Sequence, residues 1–372
     1  MSARILFVAA LHHPEQLQAA VQQTPPGEQA PLFPPSVSQH FWERALRRRG
    51  YELAVFYRNL PTVGPARAHR HREGLTLGKA LAALTQRIPP EANPEYRRRN
   101  QRLIAQALAF QPDILWLVGD NTVIYPDTLA RIKQATGCTL IYATGTSPIV
   151  FSRPVERQAA PLYDLVLVND YYHGIQWLEL GAARMACLPL TAVDPDFHHP
   201  YALTDAERAA YACAVSFVGT LIPTHLYSRR VQALAALTDF DLGIWSVHEL
   251  PAALRPYGRG AALGETMLRV LSASRLTLNP HGNFMLYGGN MRLFEAAGVG
   301  VPQLTEDLPG VRVWFTPGDT ILTYTDMADL RAKTAYYLSH EDAREALARR
   351  AREHVYAEHT YDQRVRQLEA LL

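Results

Sequence analysis

Short apolar runs alternating with helix-period segments constrain this chain more than any other feature. Residues 4–10 carry Ile5, Leu6, Phe7 and Val8 in a row, a buried-strand pattern. Residues 36–49 then place Val37, Phe41, Ala45 and Leu46 at helical spacing, and Gly50 ends the segment. The alternation repeats, with strands expected at 51–57, 113–118, 139–143, 164–168 and 185–188 and helices between most of them. Strands separated by helices pair in parallel, with helices on both faces of the sheet. Polar groups fall just after strands at His12, His13, Asp120, Asn121, Thr144, Thr146, Ser147 and Asp170. Ligands of such sheets bind outside the carboxyl ends of the strands, so these residues are expected to point toward one crevice.

Three stretches interrupt the rhythm. Residues 11–36 are rich in proline and glutamine and are expected to form a long loop. Residues 58–95 include Arg67, His69, Arg70, His71 and Arg72, a basic insertion that either faces an acceptor or is solvated. Residues 189–213, with Pro189, Asp194, Pro195, Asp196 and Pro200, read as a linker and a short polar helix. Alternation then resumes, with strands expected at 215–218, 241–245, 275–278, 301–304 and 320–324 and three closing helices from 327. A length of 372 residues exceeds the usual single core. The expected division is an N-terminal Rossmann-like domain at 1–192, a C-terminal one at 193–357, and a last helix at 358–372.

Composition narrows the classes. Apolar content of 48% and charged content of 19% are ordinary for a soluble globular protein. A net charge of +2 gives no reason to expect nucleic acid as a partner. No apolar run approaches the ~20 residues of a membrane span, and the N-terminal run lacks a signal-peptide cleavage site. Cys138, Cys187 and Cys213 lie far apart without metal spacing, as free thiols in a cytoplasmic protein would. Asp194 and Asp196 fit a proline-rich linker better than a metal pair, and no metal or tightly bound cofactor is expected.

Residues 275–306 concentrate the chemistry. An apolar run ends in Asn279-Pro280-His281-Gly282, and a loop closes with Gly288-Gly289-Asn290. A helix carrying Arg292 and Glu295 follows and stops at Gly298 to Gly300. Gly288 and Gly289 let backbone amides approach an anion, and the helix N-terminus adds partial positive charge. Asn290 is a candidate N-cap. Arg292 offers a fork for phosphate, while Glu295, on the same helix face, suits sugar hydroxyls. An arginine for phosphate beside a glutamate for hydroxyls suggests a nucleotide-sugar. The same residues also fit a glycine turn, a cap and an ordinary helical ion pair.

The order of motifs from Asn290 onward resembles the C-terminal half of the GT-B glycosyltransferases, specifically the spore-maturation CgeB-like group. The matching pieces are Asn290-x-Arg292-x-Phe294-Glu295-Ala296, Gly300, Asp307-Leu308-Pro309-Gly310 and Phe315-x-Pro317-Gly318-Asp319. They continue with Tyr336-Tyr337-Leu338-Ser339-His340 and His359-Thr360-Tyr361-x-x-Arg364, and Ser216-Phe217-Val218-Gly219-Thr220 matches the opening of that group's second domain. The resemblance implies two doubly wound α/β domains facing a crevice, with the last helix crossing back to the first domain. It implies metal-independent transfer of a sugar from a nucleotide-diphosphate-sugar donor to an acceptor, whether sugar, lipid, natural product or protein. Donor contacts would come from Glu295, Arg292, Asn290, Gly289, Gly288, His281, Arg229, Arg230, Gly219 and Thr220, with Trp245 and His248 near the base. Glu295 matches the ribose-binding glutamate of many retaining members. The partner glutamate would fall at residue 288, which is Gly288 here, so the retaining mechanism does not carry over. His13 and Asp120 are the candidate bases, with His12 as the alternative to His13, since neighbouring side chains face opposite ways. A nucleotide-sugar epimerase and a non-catalytic binding subunit are the rival readings, and the oligomeric state stays open.

Overall fold

The computed structural model describes residues 3–11, 14–60, 92–119, 121–222 and 224–372. His12, His13 and Asp120, the three candidate catalytic residues, lie outside the described residues, as does most of the basic insertion. The chain forms two compact units, one of residues 1–168 and 173–190, the other of residues 169–172 and 191–372.

The first unit holds a six-stranded parallel sheet in the order β2-β1-β3-β4-β5-β6. Its strands are β1 (Arg4–Ala9), β2 (Glu52–Tyr57), β3 (Ile114–Val118), β4 (Thr139–Thr144), β5 (Leu165–Val168) and β6 (Met185–Cys187). β1 and β3 to β5 are nearly continuous runs of buried apolar residues, as both-face burial requires. Leu115, Leu117, Leu140, Tyr142 and Val166 join Trp177 and Tyr163 in its core.

The second unit holds a five-stranded parallel sheet in the order β11-β10-β9-β7-β8. These are β7 (Cys213–Val218), β8 (Leu242–Trp245), β9 (Ser274–Leu278), β10 (Gln303–Glu306) and β11 (Leu322–Tyr324). Val215, Phe217, Ile244, Leu276, Leu278 and Leu304 form one core cluster, and Val218, Trp245, Leu268 and Ala296 belong to another. The unit includes the last helix, Tyr361–Glu369; the preceding turn bridges Val193 to Thr360.

Two expectations are corrected. The long connection at 11–36 contains a helix, Pro14–Gln23, that buries no residue, so no core-facing stripe marked it. β10 begins at Gln303 rather than at 301, because Val301 N–H still bonds Ala296 O at 3.2 Å and belongs to the end of the preceding helix. Gly300, at φ 80°, makes that left-handed helix end.

Candidate functional site

In the second sheet the chain starts at β7, moves outward to β8, then returns to the other side of β7 as β9. The reversal between β7 and β9 is the topological switch point, where open parallel sheets leave a crevice at the strands' carboxyl ends. Gly219 and Thr220 follow β7 there, and Asn279, Pro280 and His281 follow β9. Gly219 N–H donates to Trp245 O at 3.0 Å, continuing the ladder one step past β7.

Arg230, on the helix Ser228–Ala235, ties the two strand ends together. Its Nη1 donates to Thr220 O at 2.7 Å and its Nε to Pro280 O at 2.9 Å. The guanidinium lies 5.0 Å from the Tyr227 ring centroid, and burial lowers its pKa from the usual arginine value. Arg230 is thus committed to backbone carbonyls. Arg229 beside it is exposed and borders a cavity of about 400 Å³ with Gln232, Glu306, Asp307 and Tyr324.

His281 is fully buried at the switch point. Its backbone N–H donates to both Glu306 oxygens at 3.0 Å, and its Nδ1 lies 3.0 Å from Glu306 Oε2. Gly289 N–H donates to His281 Nε2 at 3.3 Å. For Nε2 to accept, the ring proton must sit on Nδ1 and be donated to Glu306. Burial pushes the Glu306 carboxyl up, but the bonds from His281 outweigh it and leave its pKa below the ordinary glutamate value. His281 therefore orients the glycine turn from within.

The Gly288 and Gly289 amides do not face an open anion site. Gly288 N–H donates to Asp170 Oδ2 at 3.3 Å, beside Tyr287 N–H at 2.9 Å, while Asp170 Oδ1 accepts from Tyr172 N–H at 3.0 Å. Residues 169–172 belong to the second unit, so this carboxylate is an internal brace of the turn. A β-carbon on Gly289, at φ 121°, would stand 2.2 Å from Asn169 O and 2.6 Å from the Trp314 ring. Only glycine fits that approach.

Asn290 and Asn279 exchange side-chain hydrogen bonds at 2.9 and 3.1 Å. Asn279 also donates to Gln303 Oε1 at 3.1 Å, and Gln303 donates to Leu293 O at 2.6 Å. Asn290 Oδ1 accepts Leu293 N–H at 3.3 Å, although the N-cap of the helix Arg292–Val299 is Met291 rather than the expected Asn290. Among the described residues no acceptor faces the Met291 and Arg292 amides. The helix thus opens with two donors and its positive dipole end.

Arg292 Nη1 pairs with Glu295 Oε2 at 2.6 Å and also touches Met267 Sδ, while Nη2 donates to Val218 O at 3.3 Å. Its Nε is buried with no partner among the described residues. The pair thus spans the end of β7, with a small part of each side chain exposed. Trp245 is a core residue: its ring packs against Gly243 and under Arg259, at 5.5 Å from the centroid. His248 lies three residues past β8, partly exposed.

Structure comparison resolves the architecture. Sucrose-phosphate synthase from Thermosynechococcus elongatus superposes with TM-score 0.63 at 14% identity, covering 99% of this chain and 98% of that one. The fold is that of the GT-B glycosyltransferases. A Rickettsia africae glycosyltransferase matches with TM-score 0.61 at 12% identity over 100% of this chain and 97% of that one. Anabaena HepE, solved with UDP-glucose, shares the GT-B fold at TM-score 0.60 and 14% identity, over 99% of this chain and 100% of that one. Residues 203–370 match the family described as glycosyl transferase-like. A sequence search against curated proteins finds no match.

The structure brings Gly219, Thr220, Arg230, His281, Gly288, Gly289, Asn290, Arg292 and Glu295 into one connected neighbourhood. Sequence reasoning gave no role to Glu306, Asn279, Gln303 or Trp314. Glu306 ends β10 next to β9, and that strand-end position was the available signal.

Proposed function

We propose that the chain is a metal-independent glycosyltransferase that takes its sugar from a nucleotide-diphosphate donor. The observation that carries this reading is the Asn290–Arg292–Glu295 helix start, placed beyond β9 at the switch point of a GT-B fold. The open Met291 and Arg292 amides suit a diphosphate, and Glu295 suits ribose hydroxyls once a ligand competes for its ion pair. The HepE complex makes UDP-glucose the first donor to try. The residues that would activate the acceptor belong among His12, His13 and Asp120, in a cytoplasmic enzyme.

A calorimetric series with UDP, GDP, dTDP and ADP, without added metal, tests the reading. One diphosphate should bind selectively, with Arg292→Ala and Glu295→Ala each weakening it roughly ten- to a hundredfold, the scale of a lost charged hydrogen bond. Folded protein that binds none of them removes the proposal. A non-catalytic nucleotide-binding subunit is the second reading, favoured by the absence of any carboxylate between Asn279 and Met291. Binding without turnover of the matching sugar nucleotide, over a broad acceptor panel, would select it.

A further inference from the structure

The C-terminal motif His359-Thr360-Tyr361-x-x-Arg364 lies outside the site described above, yet it holds an unusual group. Arg364 is 1% exposed, and among the described residues no carboxylate pairs with it. Its Nη1 donates to Gln367 Oε1 at 2.8 Å and its Nη2 to His359 Nδ1 at 3.0 Å, while Nε is buried with no partner among the described residues. A buried cation without a counter-charge costs stability, so packing alone does not account for an arginine here.

Its contacts lead to the candidate site by two routes. His359, accepting at Nδ1, carries its proton on Nε2 and donates it to Trp314 O at 3.1 Å. His354 Nε2 lies 2.7 Å from the same carbonyl. The Trp314 ring in turn lies against Gly289, where a β-carbon would meet it at 2.6 Å. By the second route, the Arg364 guanidinium stands 5.1 Å from the Phe294 ring centroid. Phe294 immediately precedes Glu295 and also touches the His359 ring, with centroids 5.2 Å apart.

We propose that Arg364 is a positioning residue for the nucleotide-diphosphate site: through His359 and Trp314 it sets the Gly288–Gly289 turn, and through Phe294 it sets the Arg292–Glu295 helix. This rests on the site reading given under Proposed function. The arginine's length and planar fork explain the choice, since one side chain reaches His359, Gln367 and the Phe294 face together. A methionine could fill the volume but make none of the directed bonds.

The test uses the full chain with two variants, Arg364→Met and His359→Phe; the second keeps a ring in the aromatic stack and loses both hydrogen bonds. Amide hydrogen exchange and calorimetry with UDP, GDP, dTDP and ADP are read together, and either variant suffices if the other does not fold. The expected result is at least tenfold faster exchange confined to 288–295, with nucleotide affinity lowered about tenfold and exchange in β7–β9 unchanged. Exchange raised equally across the sheet would mark a merely structural residue and overturn the proposal. Wild-type binding that both folded variants retain in full would overturn it alone. Absence of nucleotide binding by the wild type would overturn the site reading and this inference with it.

Discussion

Buried His359 and partly buried Glu306 show how titratable groups held by the fold make this molecule sensitive to acid. His359 has its pKa lowered to about 3, first by burial and then by Arg364 and His354. It stays neutral in the fold but takes a proton in the unfolded chain below its ordinary value of 6.5. Its contribution is therefore intact above 6.5 and is lost as pH falls toward 3. Between pH 7 and pH 5 the loss is about 2 kcal/mol, and His359→Phe removes it. Urea unfolding at both pH values should show a drop in stability smaller in the variant by that amount; equal drops would refute the assignment. Glu306 adds a later step with the same direction. Its folded pKa is depressed, so its contribution is present above the ordinary carboxylate range and disappears as pH falls through the folded value. Glu306→Gln should accordingly reduce the loss of stability on acidification below the glutamate range, read from the same unfolding curves.

Among the elements, the glycine turn and the helix behind it set how much freedom the site has. Gly289 and Gly137 both sit at positive φ, 121° and 68°, but nothing lies within 4 Å of a β-carbon on Gly137. Gly137→Ala should cost about 1 kcal/mol of backbone strain, whereas Gly289→Ala adds a clash with Asn169 O and Trp314 and should cost about 3 kcal/mol or more. Equal urea midpoints for the two variants would contradict the packing described for the turn. Much of this element-level order was legible in the sequence. Apolar runs such as Ile5 to Val8 and Val215 to Val218 had to be buried strands, and Arg292 with Glu295 had to share a helix face. The brace of the turn was not legible, because Asp170 and Tyr287 stand 117 positions apart and local spacing carries no information about such a pair. Nor was Arg230: its sequence shows a cation, but only the fold shows two carbonyls, Thr220 and Pro280, waiting for it. The helix Pro14–Gln23 escaped for the opposite reason, since burying nothing it leaves no apolar period.

At the scale of the whole molecule, the second unit is not one continuous piece of chain. Residues 169–172 belong to it, while 173–190 return to the first unit before the rest follows from 191. A fragment of residues 191–372 holds all five strands of the second sheet but lacks Asp170, so the Tyr287 and Gly288 amides lose their acceptor. The fragment should keep native-like helix and sheet content by circular dichroism and bind the matching nucleoside diphosphate at least tenfold more weakly than the full chain. Equal affinity would show that the brace is dispensable. The same arrangement bears on inheritance. The stretch that matches the glycosyl transferase-like family spans 203–370 and leaves Asp170 outside. A recombination event, or a chimaera built at the 189–213 linker, would transplant the sheet and leave behind Asp170, the acceptor of the Tyr287 and Gly288 amides. Moving the turn together with its brace therefore takes a crossover upstream of residue 169.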